Sequence, residues 1–292
     1  MTDLATLQNL DYWQRLCPDL TISPTTPLDQ INGETPALRS DDWNVCKELI
    51  HEDGYFAYDS WFDPKLIDSL ADCLLKLETE NMMPGFCFVY DEFWHLLRGL
   101  NPLFSDLLDQ DYLMLPAVWA WLVRDTKQTG FSPHRDQVRD VGVDDEEHLD
   151  YLTIWIPLTD LNHLSSCISL LPASADPEYD EGTDRVTVEN LQDIRTLQGK
   201  RGSVFCWATG LIHWGSKQSR FGPPRMSVGY YVQRTEAEIL DPPPLDFSKP
   251  LSLPDRLSII GQQIFTYSRD DDPKVLALAN ELVRLTGNEP RL

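Results

Sequence analysis

Two hydrophobic rhythms divide the chain. Up to about residue 108, apolar residues recur every three or four positions, the spacing that lines one face of an α-helix; beyond it they gather in short runs broken by Gly, Pro and Asp. Leu7, Leu10, Trp13 and Leu16 predict one short amphipathic helix over residues 4–16, and the Pro- and Thr-rich residues 21–38 predict an extended connector. Ser40 is placed to cap a helix over residues 41–51, with Asp41 and Asp42 in its first turn, where the helix dipole favours negative charge. Gly54 ends that helix, and Tyr55-Phe-Ala-Tyr58 reads as a first strand. Asp63-Pro64 is an N-cap followed by a first-turn proline; it starts a helix to about residue 81 whose Leu66, Leu70, Leu74 and Leu77 are spaced to pack on a sheet. Residues 91–108 read as helix, interrupted near Asn101-Pro102.

The second part predicts strands over residues 113–123, 131–136, 151–157, 167–171, 202–207, 211–213 and 225–232. Two polar insertions interrupt them, residues 138–150 (strongly acidic) and 173–200, and a last helix over residues 273–285 is capped by Asp272. Helices followed by many short strands predict an α+β protein: a double-stranded β-helix, or jelly-roll (cupin-like) barrel, with helices packed outside its major sheet. The expected division is an N-terminal helix and connector (1–40), the barrel (41–235) and a helical tail packed on it (236–292).

Composition narrows the function. No apolar run reaches the roughly 20 residues that span a bilayer, and the first residues lack the basic and apolar regions of a secretory signal, so a cytoplasmic protein is expected. The six cysteines form no C-x-x-C pair and read as reduced, buried thiols. A net charge of −23 opposes nucleic acid and anionic membranes as partners and is compatible with a small-molecule substrate, including a cationic one. The acidic insertion reads either as a solvated loop or as a lid that attracts an amine or guanidine; no protein partner is indicated.

The chemistry sits on few residues. In a strand, residues i and i+2 share a face, so His134 and Asp136 project together while Arg135 faces away. Two imidazoles and one carboxylate are the ligand set of non-haem iron(II); His213 in Gly210-Leu-Ile-His-Trp-Gly-Ser216 lies where a jelly roll returns a residue beside an earlier strand, but taken alone it reads as a hydrogen-bonded structural histidine. Arg225-Met-Ser227 opens the next strand with another same-face pair, a planar cation and a hydroxyl suited to a carboxylate. His51, His95, His148 and His163 carry no such context.

In this order, His134-Arg-Asp136, His213 and Arg225 resemble the phytanoyl-CoA dioxygenase-like branch of the iron(II)/2-oxoglutarate oxygenases. Asp53-Gly-Tyr55, Leu158-Thr-Asp160 after Trp155, and the strand from Gly202 before the distal histidine are similar to that family's other landmarks; the likeness covers residues 42–232. It implies iron(II) on His134, Asp136 and His213, with 2-oxoglutarate gripped by Arg225 and Ser227 and lined by Trp155 and Phe131. It also implies O2-driven oxidation, expected to be hydroxylation, of a small-molecule C–H bond, with release of succinate and CO2. The chain departs from the family in Leu171-Pro-Ala-Ser-Ala175, which lacks its histidine, and in His213-Trp-Gly-Ser216, where the serine is displaced by one. Asp136 is a carboxylate where halogenating relatives have Gly or Ala, which favours C–H oxidation over chlorination. The kinase reading of His-Arg-Asp fails for want of every companion motif. A metal-dependent hydrolase or isomerase on a cupin-like barrel, and a barrel kept only as a binding module, are the alternatives.

Overall fold

A computed structural model of the protein describes residues 2–30, 40–108, 112–124, 131–137, 149–181, 183–239, 243–267 and 272–288. In chain order the elements are α1 (Leu4–Leu7), α2 (Leu10–Leu16), β1 (Thr25–Thr26), α3 (Ser40–Glu52), β2 (Tyr55–Tyr58), α4 (Pro64–Thr79), α5 (Asp91–Arg98) and α6 (Asn101–Leu107). Then come β3 (Tyr112–Met114), β4 (Trp119–Val123), β5 (Tyr151–Pro157), β6 (Ile168–Leu170), β7 (Arg195–Leu197), β8 (Val204–Ala208), β9 (His213–Gly215), β10 (Arg225–Arg234), β11 (Leu251–Ser252), α7 (Leu253–Tyr267) and α8 (Pro273–Val283).

Local chemistry explains where these depart from the hydrophobic rhythm. The single helix expected over residues 4–16 is two, because the Asn9 side chain accepts the amide N–H of Asp11 and starts a new helix. The strand expected over residues 113–123 is also two, split at Leu115-Pro116, since proline offers no N–H to a ladder. The buried stripe of α4 runs through Ile67, Leu70, Leu74 and Leu77, with Leu66 only half-buried beside it. The insertion at 173–200 holds three short 3-10 turns and β7. The Ser40 and Asp41 side chains and residues 138–148, the bulk of the acidic insertion, lie outside the described residues. Asp150 is not a solvated loop carboxylate: it is buried and paired with Arg234 at 2.8 Å.

The main sheet is six-stranded and antiparallel, in the order β2-β8-β5-β10-β3, with β4 further along the β10 edge that β3 occupies. A second sheet has the order β7-β6-β9, and β1 pairs with β11. Among the described residues none of these sheets closes into a barrel. The segment expected as a strand at 131–136 contributes a single bridge, His134 to His213, so the smaller sheet ends at β9 instead of extending around. Period-two alternation sends Leu152, Ile154 and Ile156 of β5 into the core beneath the helices, and Tyr151, Thr153 and Trp155 to the opposite face. On that face Trp155, Phe205 and Trp207 meet Ile168, Leu170 and Leu197 of the smaller sheet. The aromatic run Phe86, Phe88, Tyr90, Phe93 and Trp94 is core, each ring at most 2 % exposed. Among the described residues no helix is long and apolar enough to cross a membrane, and the six cysteines are buried free thiols.

Helix α7 is absent from the sequence reading. Its signal was a capping box at Ser252-Leu-Pro-Asp255: the Ser252 hydroxyl accepts the Asp255 N–H at 3.2 Å, and the Asp255 carboxylate accepts the Ser252 N–H at 2.9 Å. The helix packs on residues 84–89 and on α8, and one side of it faces the cavity described next.

Candidate active site

His134 and His213 are directly opposed. The His134 N–H donates to the His213 carbonyl at 3.1 Å and the His213 N–H to the His134 carbonyl at 2.9 Å, which brings the imidazole centroids to 4.4 Å. The amides of Asp136 and Gln137 both donate to the Thr209 carbonyl, turning the chain so that the Asp136 carboxylate returns to the two rings. Oδ1 lies 3.5 Å from His134 Nε2, and Oδ2 lies 3.6 Å from His213 Nε2. His134 and Asp136 thus converge through a bridged loop, not through the regular strand that their spacing predicts.

The three groups are prepared for a cation. Each imidazole donates Nδ1–H to a nearby backbone carbonyl, His134 to Ser132 at 2.7 Å and His213 to Leu211 at 3.0 Å, so each Nε2 lone pair faces the common point. The donor atoms all lie within 4.8 Å of one another and could hold a metal ion. Two imidazole nitrogens and one carboxylate oxygen, with one side open to a cavity, suit non-haem iron(II). Thr153 on β5 donates its hydroxyl to Asp136 Oδ2 at 2.7 Å. Burial disfavours the ionised carboxylate, but the two imidazoles and Thr153 outweigh it and hold Asp136 below the usual range. Burial pushes His213 down; for the more open His134, burial is outweighed by Asp136 and the shift is upward.

A cavity of about 510 Å³ opens from this triad between the two sheets. Arg225 lies at one end of it, 2 % exposed, with Trp155 beneath its guanidinium at 5.4 Å from the ring centroid. Nε donates to the Ser166 carbonyl at 3.0 Å, Nη1 to the Ser227 hydroxyl at 2.8 Å and Nη2 to the Ser166 hydroxyl at 3.4 Å. All three acceptors are neutral; among the described residues no carboxylate pairs with Arg225. Burial lowers its pKa to about 10. Ser227 is fully buried and holds Arg225 without lining the cavity itself, whereas Trp155 and Phe131 do line it. Phe131 packs on His134 at 5.5 Å and on Tyr267 at 6.1 Å, on the α7 side of the metal triad.

Several residues of the site were not anticipated. Arg135 does point away from the triad, into a buried contact with Asp176 at 2.7 Å, and it donates to the Gly210 carbonyl at 2.7 Å. The Asp176 oxygen makes no aligned hydrogen bond there, so that contact is electrostatic. One side chain thereby ties the His134–Asp136 loop to the turn before His213. Tyr231 on β10 faces Asp136 and Tyr267; burial first, then the Asp136 charge, raises its phenol well above the ordinary value. Trp207, Thr209 and Gln263 also line the cavity, and no short motif marks them. His95 is buried with a ring nitrogen 2.8 Å from the Pro27 carbonyl, His51 and His163 are exposed, and His148 lies outside the described residues.

No family model matches the chain, and no curated protein matches its sequence. Solved structures do match its fold. SnoN, a non-heme alpha ketoglutarate dependent epimerase from nogalamycin biosynthesis, has a TM-score of 0.55 at 14% identity, over 73% of this chain and 99% of its own. The carbocyclase SnoK from the same biosynthesis has a TM-score of 0.53 at 16% identity, over 75% and 100%. HygX from Streptomyces hygroscopicus, solved with nickel and 2-oxoglutarate bound, has a TM-score of 0.51 at 13% identity, over 70% and 90%. At such identities the likeness establishes a fold shared with these three proteins.

Proposed function

We propose that the protein is an iron(II)/2-oxoglutarate-dependent oxygenase, nearest in its motifs to the phytanoyl-CoA dioxygenase-like branch, which hydroxylates an unactivated C–H bond of a small molecule. The observation that carries this reading is one cavity lined by a His-Asp-His triad and by a buried guanidinium that has no counter-ion among the described residues. The triad supplies three ligands, and Arg225 calls for a dianion such as 2-oxoglutarate, which can chelate the metal with one end and take the arginine fork with the other. The fold, shared with enzymes that use the same cosubstrate, agrees with it.

Each residue then has a task. His134, Asp136 and His213 hold the metal; their Nδ1–carbonyl bonds and Thr153 fix the ligand orientations. Arg225, fixed by Ser227 and Ser166, binds the distal carboxylate, and Trp155 supports the guanidinium from below. Bound iron(II) with 2-oxoglutarate and O2 supplies the oxidant, one oxygen atom going to succinate with loss of CO2 and the other to the substrate.

The test is an anaerobic titration of iron(II)-loaded protein with 2-oxoglutarate, following the weak visible charge-transfer band of the chelate. The band is expected in the native protein, with cosubstrate binding weakened in Arg225→Ala and iron lost in His213→Ala. Bound metal without a band would overturn the oxygenase reading in favour of a metal-dependent hydrolase, and absence of metal binding would leave a binding module.

A further inference from the structure

The loop that carries His134 and Asp136 makes a single bridge to β9 and joins no ladder, so fewer bonds place it than would place a strand. Its backbone is held by the paired bonds between His134 and His213, by the Asp136 and Gln137 N–H groups on the Thr209 carbonyl, and by the Gly215 N–H on the Phe131 carbonyl. Between the two ligands stands Arg135, whose side chain is 3 % exposed. Its guanidinium uses both edges. Nη1 donates to the Gly210 carbonyl at 2.7 Å and meets Asp176 Oδ2 at 2.7 Å. Nε and Nη2 donate to the Arg185 carbonyl at 3.3 and 3.2 Å. Gly210 belongs to the turn that delivers His213, so one side chain reaches from the first two ligands to the approach of the third. A charged donor makes that bond stronger than a neutral one would be.

Asp176 and Arg185 lie in the insertion that follows β6. Its start is tied to the fold at Ala173, whose N–H donates to the Asp53 carbonyl at 2.8 Å. Further on it is closed on itself. Asp176 Oδ1 accepts the Glu178 N–H at 3.1 Å, Glu178 Oε1 accepts Arg185 Nη1 at 2.7 Å, and Glu178 Oε2 accepts the Thr187 hydroxyl at 3.3 Å. Among the described residues, the hydrogen bonds that join residues 183–190 to the fold outside the insertion are the two from Arg135. The Asp176 side chain is fully buried, so its charge has Arg135 in place of solvent. Metal affinity depends on how firmly the ligands are held before the metal arrives. We infer that Arg135 is a positioning residue of the metal centre: by clamping the His134–Asp136 loop to Gly210 and Asp176, it couples metal binding to the seating of the insertion. Coupling is reciprocal, so bound metal also steadies the insertion. The inference rests on that part of the oxygenase reading which puts a metal on the triad; it requires neither 2-oxoglutarate nor turnover.

The test uses the full chain without oxygen. Iron(II) affinity is measured by competition with a chelator, and hydrogen exchange over residues 173–187 is followed by mass spectrometry with and without iron(II). Arg135→Met should weaken iron(II) binding about 10–100-fold. Arg135→Lys keeps the charge beside Asp176 without the planar fork and should fall between the native protein and Arg135→Met; it carries the test if the methionine variant does not fold. In the native protein iron(II) should slow exchange in the peptide that holds the Glu178 amide, and in Arg135→Met that slowing should vanish. Asp91→Ala breaks a different buried pair, with Arg256 at 3.1 Å, and controls for lost stability: its iron(II) affinity should stay within about twofold of native. Native affinity in the folded Arg135 variants, an equal loss in Asp91→Ala, or exchange over 173–187 that ignores iron(II) in the native protein overturns the inference. Native protein that binds no iron(II) overturns it together with the oxygenase reading. Iron(II) bound with the expected Arg135 effects, but no chelate band on adding 2-oxoglutarate, removes the oxygenase and leaves the positioning role.

Discussion

Two arginines in this molecule are buried to nearly the same degree and end differently. Arg256 on α7 is fully enclosed, meets the Asp91 carboxylate at 3.1 Å and donates to the carbonyls of Val89 and Ser23. Arg225 on β10 has comparable burial, and burial lowers both to about 10, but its acceptors are one carbonyl and two hydroxyls. The first is a finished tie between a helix and the segment before α5. The second sits in a low-dielectric wall where, among the described residues, neutral dipoles offset its charge, an arrangement that costs stability unless an anion binds, as the proposed function requires. Burial by itself does not distinguish a structural cation from a binding one; the counter-ion does.

The comparison breaks most sharply at Asp91. Asp91→Ala strands a fully buried guanidinium and should lower the free energy of unfolding by about 3–5 kcal/mol, read from urea denaturation. Arg225→Met should do the opposite in the cosubstrate-free protein, leaving the urea midpoint unchanged or raised, while 2-oxoglutarate affinity falls about 100-fold. If Arg225→Met unfolds the protein as readily as Asp91→Ala, the contrast is void and Arg225 is structural. Arg225→Lys sharpens it: a point charge without the planar fork should keep the fold and weaken the cosubstrate by about tenfold. At the other end of the cosubstrate, Thr153→Val removes the hydroxyl from Asp136 and should reduce iron affinity by about tenfold, measured by competition with a chelator.

The smallest effect is with pH. His134 must lose a proton to bind metal, and its pKa is raised, whereas Asp136 is held low and His213 is pushed down. Proton competition should therefore begin above the ordinary histidine range, at His134, and iron affinity should fall as pH drops through it. Affinity measured by calorimetry that stays flat down to pH 6 would show the His134 shift to be absent from the folded protein.

The residues that could be read from the sequence are those whose chemistry is carried in a few adjacent letters. His134-Arg-Asp136, His213 and Arg225-Met-Ser227 stand in a recognisable order, and the structure brings the first three together and sets Arg225 in the same cavity. Thr153, Trp207 and Gln263 were illegible because their neighbours are distant in the chain: Thr153 meets Asp136 only through the fold, and Gln263 meets Pro116 across 147 positions. Strand alternation hid them further. Both faces of β5 and β10 are buried, so the inward polar residues have no exposed face to contrast with. The closed barrel is not seen for a related reason: the i, i+2 spacing of His134 and Asp136 fits a strand, but among the described residues Pro133 and the turn at Asp136 allow one bridge. Helix α7, one wall of the cavity, is marked in the sequence by its capping box at Ser252 and Asp255.

The tie at Arg256 has a consequence for how the site comes into being. Arg256 anchors α7 to Ser23 and Val89, and the Leu253 N–H donates to the Pro24 carbonyl next to the β1–β11 pair. During synthesis His134, Asp136 and His213, which could hold a metal, emerge before the helix at 253–267 that lines the same cavity. The last wall therefore docks on residues 84–89 and α8 and is tied as well to the segment at Ser23 and Pro24. The side chains that converge at the centre are thus made before the wall that covers them.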